Sequence, residues 1–366
     1  MARIDLVELS HSYRPNPQSR DDYALPKLNM TWKDGGAYAL LGPSGCGKTT
    51  LLNIISGLIQ PSAGKVLFDG QDVTSLQPQQ RNIAQVFQFP VIYDTMTVFD
   101  NLAFPLRNRG WAGPDIRKRV EEIAEILDLT GDLKNRASGL GADAKQKISM
   151  GRGLVRPDVA AILFDEPLTT IDQHLKWTLR RKLKQIHAQL KLSLIYVTHD
   201  QVEAMTFAEQ VVVMYSGEVV QMGSPQELFE EPAHTFVGFF VGSPGMNLLP
   251  CAVEGNAAVI DGVRIPLDPE RARKAVATNS PLKLGIRPEF LGVVKNGMTP
   301  AGTAGVPAVI ESIEDLGNFK IATTRLGNHR LKAKLPETAD IAPGPAQLCF
   351  PTARTRLYAD DRLIAA

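Results

Sequence analysis

The sequence predicts an α/β domain built on a mainly parallel sheet, followed by a smaller all-β domain of the OB type. In residues 1–241, short apolar runs that end in polar loops alternate with stretches that have apolar residues at helical spacing. Such alternation favours a parallel sheet with helices on both faces. In residues 242–366 the helical periodicity mostly disappears, and strand-like pieces alternate with Gly, Asn, Asp and Pro turns, as in small barrels. We expect the two domains to be joined at GSPGMNLLP (242–250).

The composition is that of an ordinary globular protein without a globally basic surface. The 366 residues carry 40 Lys and Arg against 39 Asp and Glu, and 44% are hydrophobic. The near-neutral charge argues against nucleic acid as a partner. Cys46, Cys251 and Cys349 are too few and too far apart for a disulfide framework, which indicates a reducing compartment. No apolar run approaches the roughly 20 residues of a membrane span, and the charged N-terminus is unlike a signal peptide, so we expect a cytoplasmic location.

A glycine-rich loop between an apolar run and a helical stretch predicts a nucleotide site. Residues 42–50 read GPSGCGKTT, which fits G-x-x-x-x-G-K-[ST] in its strand–loop–helix setting. The glycines let backbone N–H groups approach phosphate oxygens, and the following helix turns its positive end to the same anion. Lys48 would reach the β- and γ-phosphates of ATP, and Thr49 would complete a Mg²⁺ shell. The residues expected to bind nucleotide here are Gly42, Pro43, Ser44, Gly45, Cys46, Gly47, Lys48, Thr49 and Thr50.

Two adjacent acids follow a second apolar run. AAILFDEP (160–167) is interpreted as a strand ending at Asp165 and Glu166. Alternation along the strand directs these side chains apart, so Asp165 can face Mg²⁺ through water while Glu166 polarises an attacking water. Two carboxylates at a buried strand end are costly unless a cation or hydrogen-bond donors compensate them. A strand that merely leaves the core at a polar turn is the alternative, but the phosphate loop upstream favours ATP hydrolysis.

With QVFQFP (85–90), TTID (169–172) and YVTHD (196–200), these motifs resemble the ATPase subunits of ABC transporters over almost the whole chain. GIRPEF (285–290) and the 242–247 linker resemble the importer subgroup that energises sugar and polyol uptake, and within it the paired ATPases of glycerol-type importers. The resemblance implies a RecA-like core, a helical subdomain at about 89–157 and a C-terminal OB-like (TOBE-type) regulatory domain.

The resemblance also implies roles for single residues. Gln88 would touch Mg²⁺ or the attacking water and link the site to a permease. His199 would contact the γ-phosphate as a switch, and Asp172 would lie at a dimer seam or cap a helix. An aromatic side chain would stack on adenine; Tyr13 is favoured, and Tyr23 competes because a polar insertion between the two blurs the spacing. The expected Mg²⁺ ligands, direct or through water, are Thr49, Gln88 and Asp165.

The sequence departs from the family at the signature motif. Members typically place LSGGQ at a helix N-terminus, where it holds the γ-phosphate bound by the other subunit. Here residues 140–144 read LGADA before the helical stretch 145–157, so a glycine replaces the serine and Asp143 replaces a glycine. A carboxylate at this place repels a phosphate. A gapped alignment that uses Ser138-Gly139 is an alternative, but it breaks the spacing to the helix.

The departure predicts an asymmetric assembly. The chain has the catalytic residues for its own ATP and lacks only the signature motif, which would act on the ATP bound by a partner subunit. We therefore expect a heterodimer with a second ABC ATPase rather than a homodimer. ATP hydrolysis would drive solute import through integral-membrane permease subunits, with an external solute-binding protein, at the cytoplasmic face of the inner membrane. Phe89, Tyr93 and Met96 would contact the permease or pack the helical subdomain's own core.

Two other classes of function remain open. One is an ATP-binding regulatory subunit with little turnover of its own that controls an active partner ATPase. The other is a soluble ABC protein of translation or DNA repair. Such proteins usually carry two cassettes or a long coiled-coil insertion, and the sequence contains neither.

Overall fold

The computed structural model describes residues 2–169, 171–278, 280–295 and 305–365. Its contacts divide the chain into two compact units, Met1–Pro225 and Gln226–Ala366. Thr170, within the predicted TTID motif, lies outside the described residues. In the part of the chain that is described, no helix combines the length and the apolar character needed to cross a membrane.

The N-terminal unit contains a largely parallel sheet and a smaller antiparallel one. Its strands are β1 (Ile4–His11), β2 (Leu25–Trp32), β3 (Ala37–Leu41), β4 (Ala63–Phe68), β5 (Gln71–Asp72), β6 (Ala84–Val86), β7 (Ile162–Asp165), β8 (Leu194–Thr198), β9 (Gln210–Tyr215) and β10 (Glu218–Gly223). The six-stranded sheet has the order β10-β9-β3-β8-β7-β6, in which only the β10–β9 pair is antiparallel among the described strands. The other sheet has the order β2-β1-β4-β5. Apolar residues of both sheets share one core, because each sheet must bury one face.

Three helices of this unit pack together in the predicted helical subdomain. The helices of the unit are α1 (Lys48–Ser56), α2 (Pro78–Arg81), α3 (Val98–Arg107), α4 (Gly113–Ile126), α5 (Ala142–Leu154), α6 (Gln173–Leu190) and α7 (Gln201–Phe207). α3, α4 and α5 contact one another. At Gly151 of α5, an added Cβ would lie 2.5 Å from Cδ2 of Leu102 in α3, so this crossing requires a glycine.

The C-terminal unit is built mainly from antiparallel strands. Its elements are α8 (Pro225–Glu230), α9 (Thr235–Phe240), β11 (Asn247–Glu254), β12 (Ala257–Ile260), β13 (Val263–Pro266), α10 (Pro269–Val276), β14 (Leu282–Ile286), β15 (Gly292–Lys295), β16 (Gly305–Asp315), β17 (Phe319–Leu326), β18 (His329–Pro336), β19 (Gly344–Cys349), β20 (Arg356–Ala359) and β21 (Arg362–Leu363). The sheet orders are β13-β12-β11-β14-β20-β21 and β15-β19-β16-β17-β18. Apolar residues of both sheets form one core, which agrees with the predicted all-β domain.

The division between the units precedes the predicted 241/242 boundary, because α8 and α9 pack with the C-terminal sheets. Arg287, at the end of β14, is buried and donates to four backbone carbonyls of this helical segment, a task that suits the five N–H donors of a guanidinium. The acceptors are Leu228, Phe229, Gly238 and Val241. Burial lowers the pKa of Arg287 to about 10, which leaves it charged at neutral pH. The boundary at 241/242 stays a prediction.

Candidate functional site

The loop between β3 and α1 adopts a backbone that requires glycine at two positions. φ is 80° at Gly45 and 95° at Gly47, values that side-chain-bearing residues rarely adopt. An added Cβ at Gly42 would lie 2.3 Å from the carbonyl oxygen of Met214, and one at Gly47 would lie 2.7 Å from that of Ala24. A Cβ at Gly45 would meet no atom within 4 Å. Backbone atoms therefore pack closely against Gly42 and Gly47, whereas the space beside Gly45 is open.

Lys48 places a buried positive charge behind this loop. Its side chain is 5% exposed, and Nζ donates to the carbonyl oxygens of Gly42 at 2.8 Å and Pro43 at 2.9 Å. Within the described ranges, Lys48 forms no ion pair with a carboxylate. A buried ammonium is costly without an opposite charge. The phosphates of a nucleotide bound in the loop would supply that charge, so the residues present fit ATP.

Thr49 and Asp165 bring the phosphate loop and the end of β7 together. Thr49 Oγ1 donates to Asp165 Oδ1 at 3.3 Å. Burial raises the pKa of the Asp165 carboxyl, while the Thr49 hydrogen bond opposes this shift. A divalent cation would favour the ionised form. A hydroxyl and one carboxylate are the protein ligands with which Mg²⁺ binds a nucleotide's phosphates, so this pair fits the predicted metal role.

Gln88 lies in the bend after β6 and is half-buried. β6 pairs in parallel with β7, so both strands end at the same edge of the sheet. No hydrogen bond joins Gln88 to Thr49 or Asp165 in the described part of the chain. The structure therefore brings Gln88 to the correct edge without a direct contact, and its predicted role stays a prediction.

Glu166 and His199 meet at the ends of neighbouring strands. The Glu166 backbone N–H donates to the carbonyl oxygen of Val197 in β8 at 3.0 Å. Glu166 Oε2 lies 3.1 Å from His199 Nδ1 and accepts a hydrogen bond from the Thr169 hydroxyl at 3.3 Å. Glu166 has a φ of 47°, in the left-handed region. The adjacent acids thus have different partners, Asp165 with Thr49 and Glu166 with His199. Strand alternation is not the cause, because β7 ends at Asp165 and Glu166 adopts the left-handed turn that follows it.

The two candidate adenine-stacking tyrosines occupy different environments. Tyr13 follows β1, is 65% exposed, and hydrogen-bonds through its hydroxyl to Thr50 Oγ1 at 3.1 Å. It therefore lies beside the first turn of α1 with its ring accessible. Tyr23 is half-buried and lines a separate surface cleft with Arg20 and Lys27. This placement favours Tyr13, and stacking on adenine stays a prediction.

The signature helix begins and ends three residues earlier than the helical stretch 145–157 predicted from the sequence, because residues 142–144 form its first turn. α5 starts at Ala142, and its N-cap residue is Gly141, which provides no side-chain cap. Asp143 lies in the first turn, where a carboxylate interacts favourably with the helix dipole. Its negative charge stands where the helix N-terminus would otherwise attract a bound anion. Ser138 lies in a separate 3₁₀ turn over Ala137–Gly139. The geometry agrees with the loss of the signature hydroxyl.

The sequence interpretation missed two buried polar residues beside the site, Glu203 and Gln146. Glu203 accepts hydrogen bonds from Tyr196 and Thr198 of β8, the strand that ends just before His199. Gln146 in α5 donates from Nε2 to the carbonyl oxygen of Phe87 at 3.2 Å, which joins the signature helix to the segment before Gln88. Both residues are polar positions of amphipathic helices, and only tertiary packing reveals their burial.

Comparison with known proteins matches both units. The ABC transporter family model matches residues 25–169, and the MalK OB fold domain model matches residues 242–291. The sn-glycerol-3-phosphate import ATP-binding protein UgpC of Escherichia coli is 41% identical over 338 residues, which are 92% of this chain and 91% of that protein. UgpC 2 of Agrobacterium fabrum is 35% identical over 361 residues, 98% and 93% of the two chains.

A solved structure gives the same assignment. CbiO1 from Clostridium perfringens, part of the ABC transporter complex cbiONQ, has a TM-score of 0.57 and 26% sequence identity, and the match covers 62% of this chain and 90% of that one. Together with the family models and relatives, it confirms the predicted fold class.

Cys46 provides a test of the loop geometry. Its side chain is 4% exposed, and burial raises the pKa of its thiol although Lys48 lies nearby. Since the thiolate is the reactive form, both the raised pKa and the burial predict that N-ethylmaleimide modifies Cys46 more slowly than a free cysteine at pH 7. The rate should rise with pH. Mass spectrometry of a C251S/C349S variant measures it, with urea-unfolded protein as the control. Rapid modification of the folded variant at pH 7 would contradict the burial.

Proposed function

The chain belongs to the ABC transporter family of ATP-binding proteins, and from this premise we propose that it energises an importer for a sugar, polyol or glycerol-like solute. Importer subunits of this family are ATPases, and so is this chain. The observation that carries the proposal is the convergence of two contacts, Thr49 with Asp165 and Glu166 with His199. The relatives are named for sn-glycerol-3-phosphate import, which makes that solute and glycerol the first to test.

Each element of the site has a distinct role in the proposed reaction. The loop N–H groups and Lys48 bind the β- and γ-phosphates of ATP. Thr49 and Asp165 would hold Mg²⁺, which would supply positive charge against the phosphates. Glu166 orients and polarises the attacking water, and His199 holds the Glu166 carboxylate in place while facing the nucleotide. Gln88 connects this site to the permease.

Replacing Glu166 tests the enzymatic role directly. Glu166→Gln keeps the shape and can still accept from His199, but it cannot take a proton from water. We expect turnover to fall about 100-fold or more, the usual effect of losing a general base, with ATP affinity retained. Phosphate release by the assembled importer and fluorescent-nucleotide titration measure the two quantities. Glu121→Gln, on the exposed face of α4, is the matched control. Unchanged transport by Glu166→Gln would favour the regulatory-subunit alternative.

The proposed permease surface is a cleft of about 280 Å³ beside the helical subdomain. Val91 lines the cleft, and Phe89, two residues earlier in the chain, is 69% exposed. Tyr93 packs on Phe104 with ring centroids 4.8 Å apart, and Met96 is half-buried, so these two contribute in part to the subdomain's own core. A helix that lays an apolar face into such a groove is a common recognition mode.

Charge further specifies the occupant of this cleft. Arg109, Arg152 and Arg156 line it. Burial lowers the pKa of Arg156 to about 10, and its Nε has no hydrogen-bond partner among the described residues. These features support docking of a cytoplasmic permease helix that carries carboxylates, with the chain as a peripheral subunit at the inner face of the membrane.

Phe89→Ala tests the docking surface. Truncating a central aromatic anchor costs about 2 kcal/mol in typical interfaces, so we expect the affinity for the permease to fall at least about tenfold. ATP binding should not change, because the substitution leaves the phosphate loop and Lys48 unaltered. Copurification with the permease at increasing salt measures the effect. Leu316→Ala, an exposed apolar truncation in the C-terminal unit, is the control; equal loss of permease from both variants would argue against this cleft.

The N-terminus of α5 supports the heterodimer. Gly141 offers no hydroxyl, and Asp143 presents a negative charge where the partner's γ-phosphate would bind. The chain's own Lys48, Glu166 and His199 are all in place. A partner with an intact signature would therefore complete one productive site around this chain's catalytic residues, whereas two copies of this chain would form two defective sites.

Restoring the signature tests this asymmetry. The isolated chain should hydrolyse ATP slowly, and the double substitution Gly141→Ser/Asp143→Gly should raise its turnover about tenfold or more, since one donor to a developing charge is typically worth that much or more. Ser138→Ala should have no effect if the ungapped alignment is correct. Steady-state assays of the isolated chain and of its complex with the neighbouring ATPase measure these rates. Cooperative turnover by the isolated wild-type chain at the rate of the pair would refute the heterodimer.

A further inference from the structure

Glu203 is a buried carboxylate to which the reaction scheme above assigns no role. It is the third residue of α7 and is 3% exposed. Its Oε2 accepts hydrogen bonds from the Thr198 hydroxyl at 2.8 Å and the Tyr196 hydroxyl at 3.1 Å, and its Oε1 lies 3.6 Å from Lys176 Nζ in α6. One carboxylate therefore joins a strand and two helices.

These contacts enclose the backbone on both sides of His199. Thr198, which precedes it, donates to Glu203 and also accepts the backbone N–H of Asp200 at 3.0 Å. Asp200, which follows it, caps α7 by accepting the N–H groups of Val202 at 2.7 Å and Glu203 at 3.2 Å. Thr198, Asp200 and Glu203 thus form a closed set of hydrogen bonds, and His199 is the residue held between them.

The donors around Glu203 suit a negative charge. Burial, followed by the nearby Glu203, raises the pKa of Tyr196, so the Tyr196 hydroxyl remains a donor. Lys176 supplies the opposite charge. A fully partnered buried carboxylate stiffens its surroundings, whereas a partly satisfied one is costly. The two hydroxyl hydrogen bonds and the Lys176 contact therefore favour a single arrangement of the side chains around Glu203.

His199 itself depends on this support. Its side chain is about half exposed and lies 3.1 Å from Glu166 Oε2. A half-exposed imidazole is little confined by packing, so its reach to Glu166 is set by where the backbone at the end of β8 is held. A displacement of that backbone by about 1 Å is enough to lower catalysis substantially.

We propose that Glu203 is a positioning residue for His199. It fixes the end of β8 so that the imidazole meets the Glu166 carboxylate. Through Lys176 it also connects this segment to α6, whose N-cap residue is Asp172, the residue expected at the dimer seam. This inference rests on the role proposed above for His199.

Glu203→Gln is the principal test, made in the full-length chain within the assembled importer. The amide keeps the size but loses the charge that attracts Lys176 and one of the two acceptor oxygens. We expect kcat to fall about tenfold and the KM for ATP to stay within about twofold, since the phosphate loop is untouched. Glu209→Gln is the matched control, because Glu209 lies at the opposite edge of the sheet, where its Oε2 is 3.5 Å from the Ala37 N–H.

The decisive measurement is a double-mutant cycle with His199→Ala. If Glu203 acts through His199, Glu203→Gln should lower residual turnover less than about twofold in the His199→Ala background. An equal loss in both backgrounds would indicate a general structural defect and overturn the inference. Full activity of Glu203→Gln, with activity lost in His199→Ala, would overturn the inference alone. Full activity of His199→Ala would remove the proposed histidine role and this inference together.

Two further variants keep the test valid if Glu203→Gln folds poorly. Thr198→Val removes the hydroxyl that links Glu203 to Asp200, and Lys176→Met removes the charge at Oε1 while retaining the aliphatic stem. Both should reproduce the fall in kcat at unchanged KM. Normal kcat in both variants would contradict the positioning role.

Discussion

Parallel hydrogen bonding among β3, β8, β7 and β6 is the constraint on which the site depends. Leu41 lies opposite Thr198, and Asp165 lies opposite Val197, so the loops that follow these strands start at one edge. Ligands bind at the carboxyl ends of strands in such sheets. A slip of β7 by one residue would turn its side chains to the opposite faces and separate Asp165 from Thr49. The relative placement of the site residues therefore depends on the register of the parallel strands rather than on any single loop.

Periodicity and motif spacing were sufficient to predict the α/β fold and the loop between β3 and α1, because these are local properties of the chain. The left-handed turn at Glu166 was not predicted. The division between the units could not be predicted in this way. It depends on Arg287, which binds carbonyls almost 60 residues earlier in the chain, and periodicity carries no information about such contacts. For the same reason the sequence did not reveal that Glu203 and Gln146 are buried, although each is plainly polar in an amphipathic helix.

The N-terminus of α5 differs from the other site elements in how its structure is maintained. The helix begins without a side-chain cap at Gly141, and Asp143 supplies the negative charge that the first turn favours. The same substitution that would repel a partner's nucleotide thus stabilises this helix. The helix therefore forms without a signature serine at its N-terminus, and this agrees with the heterodimer that we propose.

The left-handed backbone at Glu166 determines what a substitution at this position would gain and lose. A residue with a Cβ loses roughly 1–2 kcal/mol in this conformation relative to glycine, and φ is 47° here. Substitution by glycine or asparagine would lower this strain but would remove the carboxylate that we propose polarises the attacking water. Strained residues persist where the strain accompanies function. The chain thus carries a carboxylate at this turn at a conformational cost, and this cost agrees with the role in turnover that we propose for Glu166.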